Sequence, residues 1–346
     1  MPLLIRGARQ LITLQGASGP RRGSGLRDLR IIADGAILTR EGRIEQVGQT
    51  RRLERLAAAR NADVVEAAGR VVMPAFVDAI TRPLAGPPFV PLETAHNIVR
   101  GFSFHRMEQE TLRRLSIFAR YGTVTLGAGC GYGGDETLEA KALRVFGGLD
   151  GRPLRVVPQY HFLAPGLSLS PAWLARIREK RLAAALASPD PDLCARSEEA
   201  GLAAIRLASA SALASGVHIL LPGEAYHGGC PYPPARQWIE QDRPVALSTG
   251  YDPRISPIAS MPMILSLACT QMKLTAEEAI AAATINAAHA LGLAGECGSL
   301  ETGKAADLVM LHCGDYREAP WFAGYNPVAL SIRNGKPVDL RQFARC

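Results

Sequence analysis

The side chains that could do chemistry in this chain are scattered, and few of them stand at spacings that let them act together. The seven histidines form no HxH, HxxH or HxxxH pair, the spacings that place two imidazoles on one metal ion. His227 and Cys230 have a His-x-x-Cys spacing in a glycine-rich loop, and they would hold zinc if two further ligands joined them. We favour a loop without metal here, because two ligands alone do not define a zinc site.

A thiol and an imidazole form the next candidate pair. Cys130 lies in the glycine-rich loop 129–133, and His161 follows the next predicted strand. An exposed cysteine beside a histidine could act as a thiolate nucleophile. The alternative, which we favour, is a small residue in a tight turn for Cys130 and a hydrogen-bonded loop histidine for His161. The sequence contains no G-x-S-x-G elbow and no GxxxxGK[ST] phosphate loop.

Composition restricts the class of protein further. The chain has 346 residues, of which 47% are hydrophobic and 21% charged, so it can build a full core. Its net charge of +7 comes from scattered arginines rather than from one basic face, which argues against nucleic-acid binding. Seven cysteines without a CxxC pair, no signal segment and no long apolar run favour a soluble cytoplasmic protein that binds no membrane.

The elements that must position these residues change character along the chain. Short strands and hairpin turns, such as Glu41-Gly42 and Asn334-Gly335, dominate both ends. Between them, residues 75–300 alternate strand and helix patterns, which is typical of repeated βα units. We predict helices at residues 49–60, 108–121, 135–146, 201–215, 262–271 and 275–291. Thr275 and Glu278 have the spacing of a capping box at the start of the last one.

Several long segments carry a family resemblance. They include residues 244–249, 256–262, 265–275, 283–292 and 298–309, and also 131–135, 220–223 and 232–236. Together with the N-terminal stretch to Asp78, these segments resemble imidazolonepropionase, a member of the metal-dependent amidohydrolase superfamily that opens a cyclic amide ring in histidine breakdown. The resemblance covers most of the chain.

The resemblance implies an α/β fold with two parts. The first is a (β/α)8 TIM-type barrel over residues 75–300, which is short for eight βα units and is expected to be trimmed. The second is a small β-sandwich domain built from both chain ends, residues 1–74 and 301–346. A homodimer is a further expectation from the family.

The same resemblance shows that the metal-binding residues of the family are lost. The family binds zinc or iron through the two histidines of Asp-x-His-x-His, and here Asp78 is followed by Ile80 and Arg82 at those positions. Isoleucine has no lone pair, and a guanidinium does not deprotonate in proteins. The aspartate of Ser-Thr-Asp-Tyr-Asn-Pro is replaced by Gly250, and residues 188–200, where the third ligand belongs, contain no histidine. We therefore expect no metal cofactor.

Three possibilities remain open, and the third is a decaying gene without a selected function. The first is a catalytically inactive relative that acts by binding a small molecule or by assembly with itself or with an active relative. The second is a working hydrolase of a cyclic amide or imidazolone, with a rebuilt site around His161, Tyr132, Asp252 and Arg82. Tyr132 matches a family substrate contact, and Arg82 could bind a substrate carboxylate in a bidentate manner. For Asp252 we favour a turn role in which it caps its own backbone.

Overall fold

The computed structural model describes residues 2–16, 18–132, 135–162, 170–207 and 216–343. Its strands are β1 Leu3–Ile12, β2 Ile31–Arg40, β3 Arg43–Gln49, β4 Asp63–Glu66, β5 Val71–Pro74, β6 Phe76–Thr81, β7 Thr123–Cys130, β8 Arg155–His161, β9 Ala185–Ser188, β10 Ala203–Arg206, β11 His218–Leu220, β12 Val245–Leu247, β13 Leu308–Leu311, β14 Val328–Arg333 and β15 Lys336–Pro337.

The α-helices connect these strands. They are α1 Thr50–Leu53, α2 Leu92–Arg100, α3 Phe104–Arg120, α4 Glu136–Leu149, α5 Pro171–Glu179, α6 Pro191–Glu199, α7 Pro222–Gly228, α8 Ala235–Glu240, α9 Met261–Gln271, α10 Ala276–Ala282, α11 Ile285–Ala290 and α12 Glu318–Trp321. Short 3₁₀ helices cover Gly23–Arg27, Ala57–Asn61 and Leu340–Phe343. None of the helices in the described ranges is long and apolar enough to cross a membrane.

Strands from the two ends of the chain share one mixed sheet. Its order is β15-β14-β13-β5-β1-β2-β3, and β4 pairs with β1. The β13–β5 pairing, in which Val309 lies opposite Met73, joins the C-terminal strands to the N-terminal ones. The predicted pairing of the two ends is therefore present, but as a single sheet, and a sandwich is not established. The division into domains at residues 74 and 301 stays a prediction.

The middle of the chain forms a curled parallel sheet. Its order is β10-β9-β8-β7-β6, and β11 pairs with β12 in a separate parallel pair. Single parallel bridges connect the two, Leu207 to Ile219 on one side and Thr81 to Tyr251 on the other. These account for seven parallel strands in the described residues, so an eight-stranded barrel is not established. Parallel strands end at a common edge, and the carboxyl ends of β6, β8, β11 and β12 therefore come together.

The core lies between this parallel sheet and the helices that cover it. Phe76, Phe118 and Phe146 are among its largest fully buried side chains. They come from β6, α3 and α4, so successive βα units contribute to one apolar cluster. This packing fixes the strands and, with them, the loops at their carboxyl ends.

Local predictions hold where the signal is local. The capping box of Thr275 and Glu278 is present, and both hairpin turns have positive φ at their two central residues. The helix predicted at residues 201–215 is wrong, because Ala203–Arg206 forms strand β10, and residues 208–215 lie outside the described ranges. The helix predicted at residues 275–291 is two helices, separated at Thr284, whose φ of −128° and ψ of −91° are not helical.

Candidate functional site

An ion cluster occupies the carboxyl edge of the parallel strands, and we call it the mouth cluster: Arg82, Glu224 and Asp252. Arg82 follows β6, Glu224 lies in the first turn of α7 after β11, and Asp252 lies in the loop after β12. The Nη2 atom of Arg82 donates to Oε1 of Glu224 at 2.7 Å. Its Nε lies 3.2 Å from Oδ2 of Asp252, an ion-pair distance at which the two groups are not aligned for a hydrogen bond.

Burial makes these charges depend on one another. The Arg82 and Asp252 side chains are 12% and 4% exposed, and that of Glu224 is 32% exposed. Burial raises the pKa of Glu224, while the positive charge of Arg82 lowers it and the negative charge of Asp252 raises it again. A guanidinium next to two carboxylates offsets part of the cost of placing these charged groups where water is scarce.

Asp252 has the turn role that the sequence favours, and a second role as well. Its Oδ1 accepts a hydrogen bond from the backbone N–H of Arg254 at 2.8 Å. The other carboxylate oxygen faces Arg82. The resemblance places the asparagine of the family motif at this position, so the change to aspartate supplies a negative charge next to the arginine that stands in a histidine position.

Gly250, which replaces the family's aspartate, leaves space for the side chain of Glu224. A Cβ built on Gly250 would lie 3.2 Å from both Cγ and Oε1 of Glu224. The Glu224 side chain therefore occupies the space beside the position where the family places its aspartate ligand. Gly250 has a φ of +60°, in the left-handed region that glycine adopts at low cost.

A buried aspartate ties the β6 and β12 ends to each other. Asp78 is fully buried, and its carboxylate accepts hydrogen bonds from the Ser248 hydroxyl, the Thr249 hydroxyl at 2.6 Å and the Thr249 N–H at 3.0 Å. Ser248 in turn accepts from the backbone N–H of Ile80 at 2.9 Å. Burial raises the pKa of Asp78 to about 6, although these donors pull it down. Asp78 thus joins the two loops that carry Arg82 and Asp252.

His161 ends β8 but is buried rather than open at the strand end. The side chain is 1% exposed, and a Cβ on Gly129 would fall 2.0 Å from its ring, so the ring packs against the backbone of β7. Its Nε2 shares a hydrogen bond of 2.8 Å with Oε1 of Gln159, whose Nε2 donates to the carbonyl of Ala79. Burial and the nearby charge of Arg82 lower the pKa of His161 to about 3, so its imidazole is neutral.

Tyr132 lies under helix α2. Its hydroxyl donates to the carbonyl of Leu84 at 2.9 Å, and its ring packs edge-on against His96 with centroids 5.2 Å apart. The side chain is 5% exposed. The predicted contact between Tyr132 and a substrate stays a prediction, and it requires the hydroxyl to exchange its bond to Leu84.

Cys130 is buried, so the less favoured alternative, an exposed thiolate nucleophile, lacks the exposure that it requires. Its side chain is 3% exposed, and the thiol donates to the carbonyl of Glu139. Burial raises the pKa of the Cys130 thiol well above its ordinary value, with the Glu139 charge adding to it. A thiol of raised pKa is a poor nucleophile, because the thiolate is the reactive form. Cys130 is the last residue of β7 rather than part of a turn, and its predicted structural role stays a prediction.

The donor set at the mouth does not fit a divalent metal ion. Ile80, Arg82 and Gly250 stand at the positions of three family ligands, and together they offer no lone pair and one positive charge. In the described ranges no group of three or more His, Cys, Asp and Glu side chains has a geometry that could hold a metal. Cys230 is exposed, and its thiol donates to the carbonyl of Gly228.

Sequence reasoning brought Arg82 and Asp252 into the site but missed Glu224. The signal for it was present: an acidic residue directly after a strand, in the first turn of the next helix, belongs at the same edge as Arg82. A cation predicted at a buried strand end also requires a carboxylate partner. Glu139 was missed as well; it is fully buried in α4, and burial raises its pKa to about 7.

Comparison with known proteins agrees with this architecture. The profile of the amidohydrolase family matches residues 163–338. The imidazolonepropionase of Solibacter usitatus is 33% identical over 97% of this chain and 98% of that protein. The chain is an imidazolonepropionase-like member of the amidohydrolase family. The imidazolonepropionase of Geobacillus thermodenitrificans is 31% identical, with 97% of this chain and 98% of that protein covered.

This family member lacks internal segments that its relatives contain. Its alignment with the Solibacter usitatus protein extends over 420 positions, more than the 346 residues of the chain, so the relative contains internal stretches that are lacking here. Among solved structures, E. coli guanine deaminase matches with a TM-score of 0.74 at 14% identity, covering 98% of this chain and 99% of that one. That similarity shows the fold alone.

Proposed function

We propose that this protein is a catalytically inactive member of its family that keeps the mouth of a trimmed barrel as a small-molecule binding site. The observation that carries the proposal is the mouth cluster, in which the Arg82 guanidinium lies between Glu224 and Asp252. Two of the family's ligand positions, 82 and 250, lie at this place, and the Arg82 guanidinium with its two carboxylate partners occupies it. A metal ion could bind here only by displacing the Arg82 guanidinium, because the two positive charges repel each other.

Retention of the surrounding framework supports binding over simple decay of the site. Asp78 still joins the loops after β6 and β12 through three hydrogen bonds, and Ser248 still joins them through Ile80. A site without any role would have no need of this framework. Assembly with a second copy or with an active relative remains part of the proposal, and light scattering on the purified protein measures it.

The experiment combines metal content with turnover. Purified protein is incubated with zinc or iron(II), exchanged into metal-free buffer and measured by elemental analysis. It is then mixed with imidazolonepropionate, the substrate indicated by the relatives' name, imidazolonepropionase. We expect little retained metal and no loss of the substrate absorbance beyond the uncatalysed rate. About one ion per chain together with catalysed turnover contradicts the proposal.

The second candidate is an active hydrolase of a cyclic amide, and the names of relatives at about 30% identity favour it. The mouth would then supply a carboxylate that takes a proton from water as its oxygen bonds to the carbonyl carbon. The same proton would pass to the ring nitrogen as the C–N bond breaks. Glu224 fits this step best, because burial raises its pKa. Turnover that Glu224→Gln abolishes, without bound metal, would establish this alternative.

A further inference from the structure

Arg254 differs from the other arginines around the mouth because nothing in the described ranges neutralises it. Arg82 has two carboxylates, Arg100 contacts Asp135 at 2.8 Å and Arg114 contacts Glu110 at 3.6 Å. Arg254 has no ion pair and no side-chain hydrogen bond among the described residues, and its Nε is buried without a partner. Four other arginines also have an unpartnered Nε, but each donates through another nitrogen: Arg21, Arg82, Arg236 and Arg333.

The backbone around Arg254 fixes where this charge lies. Asp252 and Ser256 pair with each other across the turn, and Asp252 also accepts the N–H of Arg254. The turn follows β12, so it lies at the same edge as Arg82. Burial and the charge of Arg254 lower the pKa of His96, which lies in α2 and whose ring rests on Tyr132, while the charge of Asp252 raises it. The turn that carries Arg254 and Asp252 therefore lies close to helix α2 as well as to Arg82.

The balance of charge then determines the class of ligand. Both carboxylates of the mouth cluster face Arg82, so a ligand carboxylate that approached Arg82 would meet Glu224 and Asp252 first. A half-buried guanidinium without an internal partner is unfavourable until an anion meets it, and its planar fork matches a carboxylate. We propose that Arg254 is the ligand-binding cation of this site and that it takes the carboxylate of a small organic acid. This inference rests on the proposed binding function.

The test compares two probes that share the ring and differ in the tail, which carries a carboxylate in only one of them. Imidazole-4-propionate carries a diaza ring and a carboxylate tail, whereas 4-methylimidazole carries the ring alone. Calorimetry or ligand-observed NMR measures both dissociation constants for the wild type, for Arg254→Met and for Arg254→Lys. Arg30→Met is the matched control, because it removes one positive charge from a 62% exposed side chain in the mixed sheet region.

We expect the wild type to prefer the propionate, and Arg254→Met to weaken propionate binding about tenfold or more while the ring-only probe is unaffected. Arg254→Lys should fall between them, since it keeps the charge but not the fork. A preference that survives in Arg254→Met, or equal binding of both probes by the wild type, overturns the inference and leaves the binding function standing. Failure to bind either probe overturns the binding function, and the inference with it.

Discussion

Replacing Arg82 by methionine tests the central argument about the mouth, because it removes the cation and keeps much of the apolar volume. In the variant, the Glu224 and Asp252 carboxylates face each other without an opposite charge between them. The backbone hydrogen bond from the N–H of Arg82 to the carbonyl of Tyr251, 2.6 Å long, does not depend on the side chain. The effect should therefore report on charge rather than on a lost strand contact.

The magnitude follows from the burial of the three side chains. Removing one partner of a buried ion pair costs about 3–5 kcal/mol, because the other charge stays buried and unpaired. Glu224 is 32% exposed and partly solvated, which reduces its share, whereas Asp252 is 4% exposed. We expect the free energy of unfolding of Arg82→Met to fall by about 2–4 kcal/mol near neutral pH.

The dependence on pH gives the sharper prediction. The pKa of Glu224 is raised by burial and held down by Arg82, so it should rise further in the variant. An acid whose folded pKa is raised stabilises the protein most below its unfolded pKa and loses that contribution as the pH rises through the folded pKa. The deficit of Arg82→Met relative to wild type should therefore shrink as the pH falls from about 7.5 to about 5.

Urea unfolding followed by circular dichroism at the two pH values measures this. Arg113→Met is the control, because Arg113 is 70% exposed and pairs with Glu110 within one helix. It should cost less than about 1 kcal/mol at either pH. The reasoning is refuted if Arg82→Met costs no more than this control, or if its deficit grows toward acid pH.

Three further predictions concern the framework of the site. Between about pH 7 and pH 5 the free energy of unfolding of the wild type should fall by about 2 kcal/mol through His161, because its folded pKa of about 3 lies below the unfolded value of 6.5. Urea unfolding of His161→Gln should show a fall that is smaller by this amount. Equal falls in the two proteins would contradict the prediction. Asp78→Ala should lower the free energy of unfolding by about 3 kcal/mol, since it leaves the Thr249 hydroxyl and N–H without an acceptor, whereas the Ser248 hydroxyl keeps the carbonyl of Ile80; a loss below about 1 kcal/mol would argue against the role of Asp78 in joining the two loops. Thr275→Ala should lower the melting temperature through a loss of about 1 kcal/mol, and an unchanged melting temperature would show that the capping box adds nothing.

Local structure was predictable where the signal stays within a few residues. The capping box at Thr275 and the turn at Asn334-Gly335 depend on neighbours in sequence, and both are present. The segment 201–215 failed for the opposite reason. Its alanines and leucine favour a helix by propensity, but residues 203–206 pair in parallel with β9 inside a covered sheet, where apolar runs become strands.

The candidate site divides in the same way. Loss of the metal ligands at positions 80, 82 and 250 was visible once the family resemblance had assigned those positions, because lone pairs and charge belong to the side chain. The partners of Arg82 were not fully visible, since Glu224 and Asp252 lie 142 and 170 positions further along the chain. Only the convergence of parallel strand ends brings such residues together. Within the described ranges Arg254 has no side-chain partner, and no pattern in its own segment could show this.

The changes at the mouth make sense only as a set. Arginine at position 82 would be an unpaired buried charge without the carboxylates of Glu224 and Asp252. An aspartate at position 250 would meet the Glu224 side chain and place a third carboxylate beside a single guanidinium. Each of these residues is therefore compatible in charge and size with the others, and not with a set of metal ligands at the same positions. Restoring the ligand at position 82 or at position 250 would disturb the ion cluster, because histidine at position 82 removes the guanidinium and aspartate at position 250 adds a third carboxylate.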